Sequence, residues 1–305
     1  MSSNKDLISG LVIRTQSGFF TVDSDQGRLV CTLRGRLKRG ARRGDLAAIG
    51  DRVQVTRLDE QRGVIERVEP RQRMLARLAP LPRGEYLQVI IANLNQAVFV
   101  FACADPAPRF RMLDRFLVIA EKQGVPAAIV ANKVDLVGGE QARELFQRYE
   151  AIGYPVIYSS AVQRQGLEQF EALLGKKISA LTGPSGAGKS SLLNAIQPGL
   201  GLSIRRVSAA TGKGQHTTVA AEMFGLPAGG YVADTPGLKA LALWDVEPAE
   251  VDGYFPEIRS LVSECAFNDC THTHEPGCAV RAEVERGTIH LERYDSYIRL
   301  RAGEE

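Results

Sequence analysis

The chain has no apolar stretch long enough to cross a bilayer. Its longest unbroken run, Ala97 to Ala104, falls far short of the ~20 residues a membrane helix requires. An apolar segment of the kind that directs export is also missing near the N-terminus. Both absences predict a cytoplasmic protein with no membrane partner. Cysteine is scarce, five in 305 residues, and without an export signal a disulfide framework is not expected. Net charge is low as well, +3 at neutral pH, and by itself names no partner.

The charge that is present is unevenly spread. Residues 1–80 hold 16 Lys/Arg against 9 Asp/Glu, so a basic module precedes a mildly acidic remainder. Arg34, Arg36, Lys38, Arg39, Arg42 and Arg43 crowd one short stretch with no acidic neighbour, interleaved with Gly35, Gly40 and Gly44. Such a cationic loop neutralises phosphates, although a merely solubilising surface has the same composition. Around it five short strands are predicted, at residues 10–14, 18–22, 29–33, 51–56 and 63–68, separated by turn signals. Five strands with a basic loop fit an OB barrel over residues 1–72, a fold often used on nucleic acid. Further on, apolar strand runs at 88–93, 97–103 and 127–131 alternate with amphipathic helices at 111–122 and 140–151, the pattern of a doubly wound sheet.

Gly183-Pro184-Ser185-Gly186-Ala187-Gly188-Lys189-Ser190 fits the phosphate-loop pattern G-x-x-x-x-G-K-[ST] without a mismatch. A short apolar strand, Lys177 to Leu181, precedes it, and a helix opening at Ser191 follows. Backbone N–H groups around Gly186 to Lys189 can turn inward on an anion, aided by the helix dipole. Lys189 is expected on β/γ-phosphate oxygens, and the Ser190 hydroxyl on Mg²⁺. This alone leaves ATPases and nucleotide kinases open. Asn132-Lys133-Val134-Asp135 narrows the base, because a carboxylate at Asp135 accepts from guanine N1–H and the 2-amino group together, a donor pair that adenine lacks. That tetrapeptide ends the apolar run Ala127 to Ala131, at the carboxyl end of a strand, where open α/β sheets bind ligands. About one βα unit later, Pro155 to Tyr158 leads into Ser159-Ser160-Ala161, with a backbone N–H of Ser160-Ala161 expected to meet guanine O6.

Asp234-Thr235-Pro236-Gly237 follows an apolar strand and matches DxxG, with Asp234 reaching Mg²⁺ through water and the Gly237 N–H facing the γ-phosphate. Thr211 to Thr218 reads as a switch loop, in which Thr217 or Thr218 completes the Mg²⁺ shell. Leu238 stands where Ras-like GTPases carry the glutamine that orients water, so intrinsic hydrolysis is expected to be slow. His216 either supplies the missing function or is an exposed loop histidine.

Cys265-x4-Cys270-x-His272-x5-Cys278 offers a Cys₃His set suited to one tetrahedral structural Zn²⁺, with His274 as a competing ligand. Cys31 and Cys103 lie in apolar strands and are expected to be small buried hydrophobes. Residues 280–301 read as helix broken near Gly287. There Arg281, Arg286, Arg293, Arg299 and Arg301, beside Tyr294 and Tyr297, form either an RNA contact or a solvated face.

The order of these motifs is rotated. NKxD and SSA come first, then the phosphate loop, the switch threonines and DxxG, so the domain looks like a circular permutation of a G domain. Order, spacing and flanking segments together resemble the ribosome small-subunit-dependent GTPase A family, also called the YjeQ family, over nearly the whole chain. The resemblance implies an all-β OB-fold barrel at 1–72, a central circularly permuted α/β P-loop GTPase domain at 73–243 and a mainly helical zinc-binding domain at 244–305. It favours His272 as the fourth zinc ligand. It also implies GTP binding by Asn132, Lys133, Val134, Asp135, Ser160, Ala161 and Gly183 through Ser191, hydrolysis stimulated by the small ribosomal subunit, and a role in late 30S maturation through 16S rRNA. The alternative is an RNA-binding assembly or anti-association factor in which nucleotide only sets a conformation. A monomer is expected, with no DNA partner. Because DxxG runs on almost directly toward the zinc cysteines, hydrolysis is expected to reorient residues 245–305.

Overall fold

A computed structural model describes residues 7–38, 44–79, 86–200, 222–234 and 246–304. In chain order the elements are β1 (Leu7–Gln16), β2 (Phe19–Ser24), β3 (Gly27–Leu33), β4 (Arg52–Arg57), β5 (Arg62–Val68), β6 (Met74–Ala79), β7 (Tyr86–Ala92), β8 (Gln96–Ala102), α1 (Phe110–Lys122), β9 (Ala127–Asn132), α2 (Gly139–Ala151), β10 (Val156–Ser159), α3 (Leu167–Leu174), β11 (Ile178–Thr182), α4 (Lys189–Ile196), β12 (Glu222–Gly225), β13 (Tyr231–Asp234), α5 (Pro256–Arg259), α6 (Ala279–Glu285) and α7 (Leu291–Arg301). They pack as two compact units, one drawn from Met1–Ala97, Glu171–Thr182 and Ile196–Ala242, the other from Val98–Phe170, Gly183–Ala195 and Leu243–Glu305. No described helix is long and apolar enough to span a membrane.

In the first unit, alternating apolar residues close a five-stranded barrel. β1 pairs antiparallel with β2 and β4, β2 with β3, and β4 with β5, while β3 and β5 run parallel. Val12, Val22, Leu29, Cys31, Val53, Val55 and Ile65 point inward and are fully buried, each contributing roughly 1.5–3 kcal/mol where a large aliphatic side chain leaves water. A one-residue slip would turn this set outward, so the pattern fixes the register. Burial pushes the Cys31 thiol up to about 11, as expected of an inert core cysteine.

The run at 88–93 departs from expectation. It forms β7, which pairs antiparallel with β6 in a separate two-stranded sheet and does not join the doubly wound one. β6 is a six-residue run interrupted by Arg77, and its pairing with β7 depends on a partner that no local pattern names. The hairpin is fastened to the barrel by polar side chains. Asp51, fully buried, takes two 2.8 Å bonds from Arg71, while Asp45 accepts from the Tyr86 hydroxyl and the Val89 N–H at 2.8 Å. The same unit holds β11 parallel to β13 and β12 antiparallel to β13.

In the second unit, β8, β9 and β10 lie side by side with β9 and β10 parallel, and α1 and α2 supply the apolar cover. α1 buries Leu113, Phe116, Leu117 and Ile119, and Phe116 stacks on Phe99 at 5.5 Å between ring centroids. Burial pushes the Cys103 thiol up to about 11, again the mark of a core residue. Residues 246–304 form short helices around Val251, Phe255, Ile258, Val280, Ile289 and Tyr297, and Val118 of α1 belongs to that core.

The C-terminal arginines correct one expectation. Arg293 is 2% exposed and Tyr297 is fully buried, so neither lies on an RNA-facing or solvated surface. Arg293 binds Asp114 of α1 at 2.8 Å and Glu257 of α5 at 2.8 and 3.2 Å, with its guanidinium 4.4 Å from the Phe255 ring centre. Burial opposes its charge, but the two carboxylates outweigh that and hold its pKa above the ordinary arginine value.

Candidate functional site

The second unit brings together three segments distant in sequence. Gly183 to Gly188 wind into the N-terminus of α4, and Gly186 and Gly188 take φ of 81° and 91°, backbone that favours glycine. A Cβ at Gly188 would collide with the Asn132 amide, and one at Gly183 with the Val100 carbonyl. The loop is therefore packed as closely as its glycines allow. Pro184 and Ser185 form its outer turn and Ala187 is buried, while Lys189, Ser190 and Ser191 are half-buried in the first turn of α4. Lys189 Nζ donates to the Gly183 and Pro184 carbonyls at 2.9 Å each, which keeps the ammonium over its own loop.

Asn132 braces that loop from the end of β9. Its Nδ2 donates to the Ala187 carbonyl at 2.8 Å, its Oδ1 accepts from the Ser159 hydroxyl at 3.2 Å, and its carbonyl accepts from the Cys103 N–H at 2.8 Å. Lys133 turns into the left-handed region, φ 62°, and its ammonium donates to the Asp105 carbonyl. Val134 is buried and Asp135 is half-exposed in the 3₁₀ turn that follows. On β10 the backbone of Ser159 pairs with Asn132, and the next residue, Ser160, exchanges two 3.0 Å bonds with Gln165 across a tight loop that presents Ala161. Chemically this is an anion cradle tied to a carboxylate able to accept from two adjacent N–H groups.

Ser159 was not singled out from sequence. It is fully buried and orients the Asn132 amide, a role that only the strand register reveals. Asp234 ends β13, where its backbone pairs with Leu181. His216, Thr217, Thr218, Gly237 and Leu238 lie outside the described residues.

A second cluster gathers Cys265, Cys270, His272 and Cys278, whose ligand atoms all lie within 4.8 Å of one another. His272 Nδ1 stands 3.5 Å from Cys265 Sγ and 3.4 Å from Cys278 Sγ, and the two sulfurs are 4.0 Å apart. With Zn–S of about 2.3 Å and Zn–N of about 2.0 Å, the edges of a ligand tetrahedron are roughly 3.5–3.8 Å. The His272 contacts match those edges and the wider sulfur pairs need only contract by up to about 1 Å, so the donor set suits zinc. Burial lowers the His272 pKa, which favours the neutral imidazole that a metal needs, and pushes the Cys270 thiol up to about 12, a cost that a divalent cation among the thiolates would reverse. His272 Nε2 has no hydrogen-bond partner but faces Asp252 Oδ2 at 3.7 Å, the side from which a carboxylate fixes a ligating ring. His274 is outside the cluster, its Nδ1 engaged by Thr273 at 2.8 Å. The loop is held by Tyr294 and Tyr297, whose hydroxyls donate to the His272 and Thr271 carbonyls at 2.6 and 2.9 Å.

Comparison with known proteins converges on one family. The RsgA GTPase family model matches residues 68–244, and the RsgA N-terminal domain model matches residues 9–65. The chain belongs to the RsgA GTPase family. It is accordingly a GTP hydrolase, with an N-terminal β-barrel, a central circularly permuted GTPase domain and a C-terminal module bearing the Cys/His cluster. The small ribosomal subunit biogenesis GTPase RsgA of Gemmatimonas aurantiaca is 48% identical over 96% of both chains, and that of Moorella thermoacetica 41% identical over 95% of both. Among solved structures, YjeQ from Thermotoga maritima matches with a TM-score of 0.77 at 34% identity, covering 97% of this chain and 98% of that one. YloQ, a circularly permuted GTPase, matches with a TM-score of 0.74 at 30% identity, covering 99% and 96%.

Within this family frame, the basic loop is described only in part. Arg34 and Arg36 both reach Glu66, the first through a two-pronged contact and the second at 3.4 Å to the carboxylate and 3.2 Å to the carbonyl. Both remain largely exposed, so their cationic edges still face solvent. Arg39, Arg42, Arg43 and the Lys38 side chain lie outside the described residues.

Proposed function

We propose that this GTPase acts in biogenesis of the small ribosomal subunit, binding the 30S particle and its 16S rRNA and using GTP hydrolysis to leave it. The observation that carries the reading is the Asn132 brace, which joins the base-side segment to the phosphate loop through a 2.8 Å bond in a chain whose motif order is permuted. The names of its relatives, small ribosomal subunit biogenesis GTPases, supply the particle. Such a factor works in the cytoplasm.

The residues divide by chemistry. Asp135 accepts from guanine N1–H and the 2-amino group, Asn132 and the Lys133 stem flank the base, Val134 packs beneath, and the backbone of Ser160 and Ala161 meets O6. Gly183 through Ser191 surround the phosphates, with Lys189 released from its loop carbonyls to the β/γ oxygens. Ser190, a switch threonine (Thr217 or Thr218) and Asp234, the last through water, would hold Mg²⁺, which neutralises charge on the phosphates when bound. The Gly237 N–H faces the γ-phosphate. With Leu238 in place of the usual glutamine, His216 orients the attacking water once the particle has positioned the switch loop. The Cys₃His site holds a single structural zinc, since four protein ligands leave no position for substrate.

The working domains are 1–72, 73–243 and 244–305, with the barrel's Arg34, Arg36, Lys38, Arg39, Arg42 and Arg43 on rRNA phosphates. GTP turnover measured with and without purified 30S particles tests the proposal. Acceleration by well over tenfold is expected, and an unchanged rate removes the reading.

A further inference from the structure

The segment Asn132–Asp135 is rooted in two helices. On one side, the residues that lead into α1 hold it, through the Cys103 N–H on the Asn132 carbonyl and the Asp105 carbonyl on the Lys133 ammonium. On the other, the Gly138 N–H bonds the Val134 carbonyl at 2.8 Å and the Gly138 carbonyl receives the Ala142 N–H, so the turn runs straight into α2. The two helices are joined in turn by Tyr149 of α2, whose buried hydroxyl donates to Asp114 of α1 at 2.8 Å.

Arg293 sits at that junction. Its guanidinium bonds Asp114, lies 5.7 Å from the Tyr149 ring centre and 4.4 Å from that of Phe255, and pairs with Glu257, while Ser296 on the same helix donates to the other Asp114 oxygen. At the rim, Arg148 of α2 pairs with Glu292 and Arg111 of α1 with Asp295, both partners on α7. A buried ion-pair set of this kind is often no more stabilising than an apolar set of equal volume. What it adds is direction, because a planar fork between two carboxylates fixes the angle at which helices meet.

We propose that Arg293 is a positioning residue for guanine-nucleotide binding. It clasps the C-terminal module onto both helices that carry the base-side segment, and so sets the gap in which Lys133 and Asp135 receive the base. The inference rests on the reading of Asn132–Asp135 as the base-binding segment. It places the module's mechanical link on the guanine side of the site, and by reciprocity anything that docks on the module and shifts α7 changes guanine-nucleotide affinity by the same factor as nucleotide changes its docking.

The test uses the full-length, zinc-loaded protein and a fluorescent GDP analogue. The uncharged triple variant Arg293→Met, Asp114→Asn, Glu257→Gln avoids stranding a buried charge, and zinc content with a cooperative melt reports its fold. Its Kd for GDP is expected to rise about fivefold or more, with kcat at saturating GTP within about twofold of wild type, and Arg293→Lys to fall between. A folded triple variant with wild-type Kd overturns the inference, because a purely structural clasp would lower the melting temperature alone. Should the triple variant not fold, Arg293→Lys and Ser296→Ala carry the test, and an unchanged Kd in both overturns it. Asp135→Asn, assayed for preference between GDP and XDP, checks the base-site reading separately. No switch of preference removes that reading, whereas a switch beside a wild-type-like triple variant removes the clasp alone.

Discussion

Replacing Asn132 with alanine removes the side chain that ties the phosphate loop to the base-side strands. Two hydrogen bonds disappear, from Nδ2 to the Ala187 carbonyl at 2.8 Å and from the Ser159 hydroxyl to Oδ1 at 3.2 Å. Ser159 is fully buried, so its hydroxyl has no ready access to water once Oδ1 is gone. A neutral bond contributes about 0.5–1.5 kcal/mol net, and a stranded buried partner costs roughly 1–3 kcal/mol. The total is then about 2–4 kcal/mol, shared between the folded protein and the nucleotide complex. The binding share arises because an unbraced loop must be ordered when phosphate arrives.

Allotting half of the total, about 1–2 kcal/mol, to binding gives an increase in the Kd for GDP of about 5–30-fold. Fluorescence titration of the zinc-loaded protein with a labelled GDP measures it, and thermal melting measures the remainder. Ser159→Ala removes one bond and is expected to weaken binding about fivefold. The double variant should be little worse than Asn132→Ala, since both substitutions break one network. Binding by Asn132→Ala within about twofold of wild type, or strictly additive effects in the double variant, would refute the brace.

Three further outcomes are expected. His216→Ala should leave GTP affinity within a few-fold but lower particle-stimulated turnover by well over tenfold, and an unchanged stimulated rate in a single-turnover assay would make His216 a bystander. Removing the metal with a strong chelator, or substituting Cys278→Ser, should abolish stoichiometric zinc by elemental analysis and melt residues 246–304 in hydrogen exchange, whereas full protection without zinc would contradict a structural site. Glu66→Ala should free Arg34 and Arg36 from their shared carboxylate and steepen the salt dependence of RNA binding, and an identical salt slope would show that neither arginine meets phosphate.

Much of this molecule could be read from local rules. Alternation of period two gave all five barrel strands to within a few residues, because one buried face forces that pattern. The phosphate loop and NKxD were legible because their chemistry demands particular side chains at fixed spacing, and the Cys/His set because metal ligation does the same. His272 and His274 offered the same chemistry two residues apart, and backbone conformation separates them, since His272 takes φ 58° and turns its Nδ1 onto two sulfurs. What stayed hidden depends on neighbours remote in sequence. Ser159 is one serine of a pair until strand register sets it opposite Asn132, and the run at 88–93 looks like a central strand until β6 claims it.

Arg293 shows the limit most clearly, and it changes how the chain's permuted order should be understood. In sequence it is one of several arginines spaced along a polar helix, indistinguishable from its half-buried neighbours Arg299 and Arg301. Only the arrival of Asp114 and Glu257, 179 and 36 positions away, makes it a core residue. Chain order had suggested that the C-terminal module hangs on DxxG and follows the γ-phosphate. Covalent adjacency, however, transmits force only if the intervening backbone is stiff, whereas a buried two-carboxylate fork transmits it wherever the packed helices lead. Those helices lead to Asn132–Asp135. The permutation thus leaves the module joined in sequence to the segment after DxxG and clasped in space to the helices around Asn132–Asp135, so that, if this segment receives the base as proposed, two inputs would converge on it: nucleotide occupancy through α1 and α2, and phosphate state through the chain.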